Sequence, residues 1–87
     1  MNVDDIWRLI RRERERQRTK WNEPHAHGEG DCSSDLVPLA VKVAVLTEEV
    51  GEVARAFLDG DPGNLVDELV QVAAVAVAIL ESVDGAA

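Results

Sequence analysis

The sequence predicts an all-α fold in which antiparallel helices form a bundle that is completed by oligomerisation. The chain has 87 residues, which is enough for one domain over residues 1–87. Between positions 39 and 57, apolar residues recur at alternating spacings of four and three, as in packed helices. A further stretch, residues 64–83, contains neither Gly nor Pro and is longer than a typical strand.

The composition excludes several classes of protein. Hydrophobic residues make up 46% of the chain, which is too many for a disordered segment. The formal net charge of −8 argues against a nucleic-acid-binding protein, and the single cysteine excludes an internal disulfide. The acidic start lacks the pattern of a signal peptide. We expect a cytoplasmic protein without a membrane span, because the longest apolar run, Leu69–Leu80, is about half a bilayer thickness long.

The first helix is predicted over residues 4–21. Asp4 and Asp5 suit its start, because negative charge is favourable beside the free N–H groups of a helix N-terminus. Seven of the nine basic residues lie between positions 8 and 20, so this helix has only a short apolar stripe. From position 36 onward, nine acidic residues face two basic ones. The first helix therefore supplies cations and the rest of the chain supplies anions.

Residues 22–35 are predicted to form a long loop without regular structure, because they contain glycines and a proline but no large apolar residue. A loop of this length in so small a domain is often functional. His25, His27 and Cys32 offer three possible metal ligands, but a flexible loop with such ligands is weak support for a metal site. Their role stays open at this stage.

Two further helices are predicted over about 36–58 and about 64–83. Pro38 is tolerated in the first turn of the second helix, and Asn64 suits the N-cap of the third. The valine-rich alternation in the third segment is also typical of a strand, but its length and its alanine content favour helix. The second helix carries a seam formed by Leu39, Val43, Leu46, Val50, Val53 and Phe57.

The third helix indicates assembly, because it is apolar on all sides between Leu69 and Leu80. A helix of this kind is normally surrounded by neighbours, and one chain of three short helices cannot provide enough of them. We therefore expect a homodimer or tetramer in which a second subunit packs against the second and third helices. The alternative is a monomeric helical hairpin with a loose first helix.

Carboxylates cluster on the second and third helices. Residues three apart lie on neighbouring turns of one face, so Glu49 and Glu52 converge, as do Glu68 and Gln71. Glu68 lies on the apolar side of its helix, whereas Glu48 lies nearly opposite the seam. Carboxylates at the edge of an apolar interior are costly unless protons or cations neutralise them. Mg²⁺ prefers oxygen ligands and commonly shares its site with substrate phosphates.

The alternative interpretation is a solvated acidic face, which is the usual state of a helical glutamate and fits Glu48 better than Glu68. Gly51 lies within the acidic cluster, at a cost of about 1 kcal/mol relative to alanine. It makes room for a metal, a phosphate or a neighbouring backbone, or it reflects ordinary packing of small residues. These helices lack His and Cys, which disfavours zinc.

The order of the acidic residues resembles the signature of the MazG-like, all-α nucleoside triphosphate pyrophosphatases. Glu48-Glu49-x-x-Glu52 followed by Glu68-x-x-Gln71 is similar to the Glu-Glu-x-x-Glu…Glu-x-x-Asp pattern of that family. The resemblance covers the chain from about position 42 to about position 81. The upstream run Gln-Arg-x-Lys-Trp-Asn-Glu also resembles short actinobacterial and phage members.

The resemblance implies an NTP pyrophosphatase-like bundle and cleavage of a nucleoside triphosphate between its α and β phosphates, with Mg²⁺ or Mn²⁺ as cofactor. When the family's motif is placed on this sequence, the resemblance implies that the metal is held by Glu49, Glu52, Glu68 and the Gln71 position. Glu48 and Glu49 would be catalytic, with Glu48 a ligand or the base that orients water. Gln71 stands where the family usually has Asp, so one negative charge is lost.

Lys42, Arg18 and Trp21 are the candidate substrate-binding residues. Lys42 is the only charge in an apolar stretch, where it either meets a phosphate or extends to solvent. The arginines of the first helix are candidate phosphate partners, although most are explained equally well by solvation or by pairing with neighbouring glutamates. Trp21 either stacks on a base or belongs to the core at the end of its helix.

Three functions therefore follow from the sequence. The first is a Mg²⁺-dependent nucleotide pyrophosphohydrolase. The second is a non-catalytic nucleotide-binding or regulatory module, which Gln71 favours. The third is an interaction module whose basic first helix docks an acidic partner.

Overall fold

The computed structural model describes the backbone of residues 1–86 and the side chains of residues 1–83. Its elements, in chain order, are α1 (Val3–Lys20), β1 (Pro24–His25), β2 (Gly28–Glu29), α2 (Leu39–Leu58) and α3 (Pro62–Ala86). The prediction of an all-α fold is confirmed, because three helices account for most of this range. The central helix is α3, which packs against both α1 and α2.

The helix starts depend on local hydrogen bonds. Asn2 caps α1, because its Oδ1 accepts a hydrogen bond from the Asp5 N–H at 2.9 Å. At the start of α3, the carboxylate of Asp61 accepts a hydrogen bond from the Asn64 N–H at 3.1 Å. Pro62 fits the first turn, where its missing N–H is not needed. As a result, α3 begins two residues before the predicted position.

The second helix begins at Leu39, later than predicted, and Pro38 is its N-cap residue in an extended conformation. The preceding residues belong to the loop instead. The Ser34 hydroxyl donates a hydrogen bond to the Glu29 carbonyl at 2.5 Å and accepts one from the Leu36 N–H at 3.0 Å. Ser34 thus closes the loop, which leaves it unavailable as a helix cap.

The segment 22–35 contains more regular structure than predicted. β1 and β2 form a two-stranded antiparallel hairpin in which Pro24 pairs with Glu29 and His25 with Gly28. Gly28 has a φ of +143°, and a Cβ at this position would lie 2.1 Å from the Leu36 carbonyl oxygen. Only glycine allows this close approach. The hairpin therefore lies directly against the segment that leads into α2.

The apolar core of the described chain is thin. The buried apolar residues are Ile10, Val37, Ala56, Ala74, Val75 and Ala78. Large side chains with less than 2% exposure are absent from the described residues. The alanines let the helices approach closely, but they contribute little apolar area per residue.

Most of the predicted seam is exposed in the single chain. Leu39, Val43, Val50 and Phe57 have exposed fractions between 51% and 70%. On α3, Leu69 is 50% exposed. The helix pattern in the sequence is real, but the single chain does not bury this apolar surface.

One stretch of α3, Pro62–Val83, is long and apolar enough to cross a membrane by length and composition alone, with a mean hydropathy of 1.6. Only 17% of the window that meets this criterion is buried within the single chain. The core helix of a soluble protein passes the same test of length and composition, but such a helix is mostly buried.

Candidate functional site

A cleft of about 470 Å³ lies where α1, the hairpin segment, α2 and α3 meet. Acidic, basic and ring-bearing side chains form the polar part of its lining, and valines form much of the apolar part. The acidic residues are Glu13, Asp31, Glu48 and Glu49, the basic ones Arg16 and Lys20, and the ring-bearing ones Trp21, His25 and His27. Carboxylates outnumber cations, so a polyphosphate would need additional positive charge to bind here.

The carboxylates of Glu49 and Glu68 differ from the others of the described chain in their hydrogen bonding. In each, Oε2 is buried and has no hydrogen-bond partner. Burial raises the pKa of Glu49, and the negative charge of Glu68, then those of Glu48, Glu52 and Glu13, raise it further. The structure thus brings acidic groups of α2, α3 and α1 within electrostatic reach of one another.

The other predicted acidic and amide residues lie around this pair. Glu48 is exposed and lines the cleft beside Glu49, and the half-buried Gln71 of α3 also lines it. Glu52 is exposed and lies outside the lining, although its charge reaches Glu49. The two acidic clusters are therefore neighbours, as the sequence predicts.

The two orphaned carboxylate oxygens are donors of the kind that a hard divalent cation prefers. A buried carboxylate oxygen without a partner carries a desolvation penalty that a bound cation would remove. Within residues 1–83, no group of three His, Cys, Asp or Glu side chains is close enough to form a ready-made metal site.

Trp21 is placed where a flat ring could stack. It lines the cleft with 43% of its surface exposed, so it is not a core residue of the single chain. The His25 ring packs edge-on against it, with 5.4 Å between ring centroids and an interplanar angle of 73°. The Lys20 Nζ lies 5.2 Å from its ring centroid. Lys20 thus lies over the ring, so a flat ligand would have to stack on the part of the indole that stays exposed.

Two of the candidate cations lie elsewhere. Lys42 is only 4% exposed, so it does not extend to solvent, and it is not among the cleft-lining residues. Arg18 donates a hydrogen bond to the Glu81 carboxylate at 2.9 Å and lines a separate groove between α1 and α3. Neither residue therefore lines the cleft beside Glu48 and Glu49.

The three possible loop ligands all line the cleft without forming a metal site within the described residues. The His25 Nδ1 accepts a hydrogen bond from the His27 N–H at 3.2 Å. Its Nε2 must then carry the proton, which it donates to the Gly30 carbonyl at 2.8 Å. Both ring nitrogens of His25 are thus used within the loop. Burial, followed by the negative charge of Asp31, raises the pKa of the Cys32 thiol, which disfavours the thiolate that binds metals.

A buried ionic network that the sequence did not reveal fixes the loop to the helices. Arg14 of α1 is 4% exposed and hydrogen-bonds Asp31 of the loop. It also donates to Glu81 of α3, from Nε at 3.2 Å and from Nη2 at 2.9 Å. Burial alone would raise the pKa of Asp31, but hydrogen bonds from Ser33 and Arg14 outweigh it and lower this pKa. Hydrogen bonds from Arg14 likewise lower the pKa of Glu81.

The ion pair between Glu13 and Arg16 at the cleft is one of the pairings with neighbouring glutamates that the sequence offered for the arginines of α1. Arg16 donates through Nε and Nη2 to both carboxylate oxygens of Glu13, at 2.7–3.1 Å. These hydrogen bonds raise the pKa of Arg16. The i,i+3 spacing of the two residues was the available signal, and it did not show which arginine of α1 would face the cleft.

Comparisons of the chain with protein-family models, with characterised proteins and with solved structures find no match.

Proposed function

We propose that this chain is a Mg²⁺-dependent nucleoside triphosphate pyrophosphohydrolase that releases a nucleoside monophosphate and pyrophosphate. The observation that carries this proposal is the pair of unpartnered buried oxygens, Glu49 Oε2 and Glu68 Oε2, of which the first belongs to a residue that lines the cleft of about 470 Å³. Trp21 in the same cleft supplies a surface for a base. The resemblance of the acidic motif to MazG-like enzymes points to the same reaction.

In this proposal Glu49 and Glu68 hold the cation, with Glu52 and Gln71 completing the set. When bound, Mg²⁺, or Mn²⁺ in its place, supplies positive charge that offsets the phosphate oxygens and favours ionisation of water. Glu48, which is exposed at the cleft, accepts the proton of the water that attacks the α-phosphorus. The leaving group is pyrophosphate.

The working assembly in this proposal is a homodimer or tetramer. Four seam residues of α2 are more than half exposed in the single chain, which exposes an unusually continuous apolar face for a protein of this size. A second copy offers the same face, so two such faces can cover each other in a symmetric bundle. Covering them would provide the apolar burial that the thin core lacks.

A second candidate function is nucleotide binding without hydrolysis. Gln71 favours it, because an amide oxygen can ligate Mg²⁺ but brings no negative charge. A Gln71→Asp variant distinguishes the two functions. If the chain is an enzyme limited by weak metal binding, this variant should bind Mg²⁺ more tightly and turn over faster.

The primary test is incubation of the protein with each nucleoside triphosphate and Mg²⁺, with separation of the products. Monophosphate and pyrophosphate in equal amounts support the proposal, and their formation should stop with EDTA. Release of orthophosphate would mean a different reaction. Mg²⁺-dependent nucleotide binding without products, in wild type and in Gln71→Asp, would favour the second candidate. If nucleotides neither bind nor react, both functions fail, and docking of an acidic partner on α1 remains.

A further inference from the structure

Arg16 is an exposed cation that the structure fixes at the edge of the cleft. Its side chain is 53% exposed, whereas that of Glu13, which holds it, is 12% exposed. The Glu13 carboxylate engages Nε and Nη2 of the guanidinium. Nη1 makes no hydrogen bond within the described residues, so one edge of the planar group stays available.

The free edge of Arg16 belongs to the same cleft as the acidic site. Arg16 lines it together with Glu48 and Glu49, and the Glu49 charge is close enough to act on the guanidinium. A guanidinium binds phosphate oxygens through parallel N–H donors and keeps its charge at all relevant pH values. Lys20, one turn further along α1, adds a second cation at the same wall of the cleft.

The other exposed arginine near this end of α1 provides a contrast. Arg18 is 57% exposed, nearly the same as Arg16, but it is bound to Glu81 in the groove on the other side of the helix. Arg16 and Arg18 have equal charge and similar exposure, and they differ in the face of α1 on which they lie. Only Arg16 lines the cleft with the carboxylates.

We propose that Arg16 is the residue that binds the terminal phosphates of a polyphosphate anion in this cleft, with Glu13 as its positioning residue. This inference rests on the proposed function for the location of the site. A nucleoside triphosphate and an inorganic polyphosphate present the same terminal chemistry. A nucleoside monophosphate lacks those phosphates, so its binding should not depend on Arg16.

The experiment is calorimetric binding, in the presence of Mg²⁺, of three ligands: inorganic tripolyphosphate, a non-hydrolysable α,β-methylene nucleoside triphosphate and a nucleoside monophosphate. We expect Arg16→Gln to weaken binding of both polyphosphates by about tenfold, the scale of one charge-assisted hydrogen-bonded contact. The matched control Arg18→Gln should change them by less than about twofold, because it alters an exposed ion pair on the other face. Monophosphate binding should be unchanged in both variants.

A second variant of Arg16 tests whether the loss of affinity comes from the lost guanidinium or only from the lost charge. Arg16→Lys keeps the charge but loses the planar fork, so it should restore part of the polyphosphate affinity. Circular dichroism and thermal unfolding verify that the variants fold. Equal losses in Arg16→Gln and Arg18→Gln would overturn the inference, as would a loss for the nucleotide with none for tripolyphosphate.

The outcome also separates this inference from the proposed function. Arg16-dependent binding of polyphosphates without hydrolysis would reject the enzyme and retain the phosphate contact. Hydrolysis that is insensitive to Arg16→Gln would retain the enzyme and reject the contact. If the wild-type protein binds neither polyphosphate, both are rejected.

Discussion

Glu49 of α2 and Glu68 of α3 each bury one carboxylate oxygen without a hydrogen-bond partner among the described residues, and burial, then the charge of Glu68, raises the pKa of Glu49. Two half-buried acids with orphaned oxygens reduce the stability of the fold unless a positive charge compensates them. Buried polar atoms in folded proteins are nearly always satisfied, and in the proposed function a cation satisfies this pair. The proposed metal site would therefore affect stability as well as activity.

We expect Glu49→Gln and Glu68→Gln each to abolish binding of Mg²⁺ and Mn²⁺ while stabilising the metal-free protein by about 1 kcal/mol, because a neutral amide is less costly to bury than an unpaired carboxylate. Calorimetry with each metal and chemical denaturation in EDTA measure the two effects. Glu15→Gln, an exposed glutamate of α1 outside the cleft, is the control and should change neither quantity. Full metal binding in both site variants would show that these residues are not the ligands.

The raised pKa of Glu49 predicts how stability depends on pH in the metal-free protein. Because the folded state holds this proton more tightly than the unfolded state, the stabilising effect is complete below the ordinary glutamate range and is lost as pH rises through the raised pKa. Added Mg²⁺ should therefore raise the melting temperature more at about pH 7 than at about pH 4. The same comparison in Glu49→Gln should show little difference between the two pH values. A Mg²⁺ effect of equal size at both pH values in the wild type would contradict this assignment.

Periodicity and charge pattern were enough to predict the three helices and the proximity of the two acidic clusters. They identified α2 through its seam, and they placed Glu68 on the apolar side of its helix, where the structure finds it partly buried. Such patterns report which side chains share a face of one helix. They do not report which face meets which neighbour, and the exposed seam of α2 shows this difference.

The features that the sequence did not predict depend on contacts between distant segments. Arg14 and Arg18 are both arginines of one charged helix and both contact Glu81, but only the buried Arg14 also contacts Asp31. In hindsight, Ile10, Arg14 and Gln17 lie on one helical face, and all three are buried. The hairpin between Pro24 and Glu29 depends in the same way on glycine backbone geometry rather than on an apolar pattern.

Substitution of Arg14, a residue outside the cleft, is expected to reduce the stability of the protein strongly. Arg14→Met leaves the buried Asp31 without its cation, and removing one partner of a buried pair costs about 3–5 kcal/mol. Arg8→Gln, which breaks an exposed pair with Asp5 at 3.6 Å, is the control and should cost less than about 1 kcal/mol. Denaturant unfolding measures both. Arg14→Lys keeps the charge but loses the fork, so it should give an intermediate loss and keeps the test measurable if Arg14→Met does not fold.

The same network makes the protein sensitive to acid. The lowered pKa values of Asp31 and Glu81 mean that their contribution is present above the ordinary carboxylate range and is lost as pH falls below about 4. Asp31→Asn should therefore be less stable than wild type at neutral pH and converge with it in acid. Similar losses for Arg14→Met and Arg8→Gln, or a pH-independent effect of Asp31→Asn, would show that the network does not stabilise the loop.

The exposed seam predicts self-association that two matched valine substitutions can test. Val50 on α2 and Val3 on α1 are 53% and 62% exposed in the single chain, so the single chain alone predicts similar, small effects of replacing either with Asp. If a second copy covers the seam, Val50→Asp instead places a charge in a dry interface and should shift the protein to monomers, whereas Val3→Asp should not. Light scattering coupled to gel filtration should give a wild-type mass that is two or four times the 9.5 kDa chain. A wild-type monomer, or an assembly that Val50→Asp leaves intact, would reject a second copy as the partner of this face. The 22-residue apolar stretch of α3 would then make lipid vesicles the next partner to test.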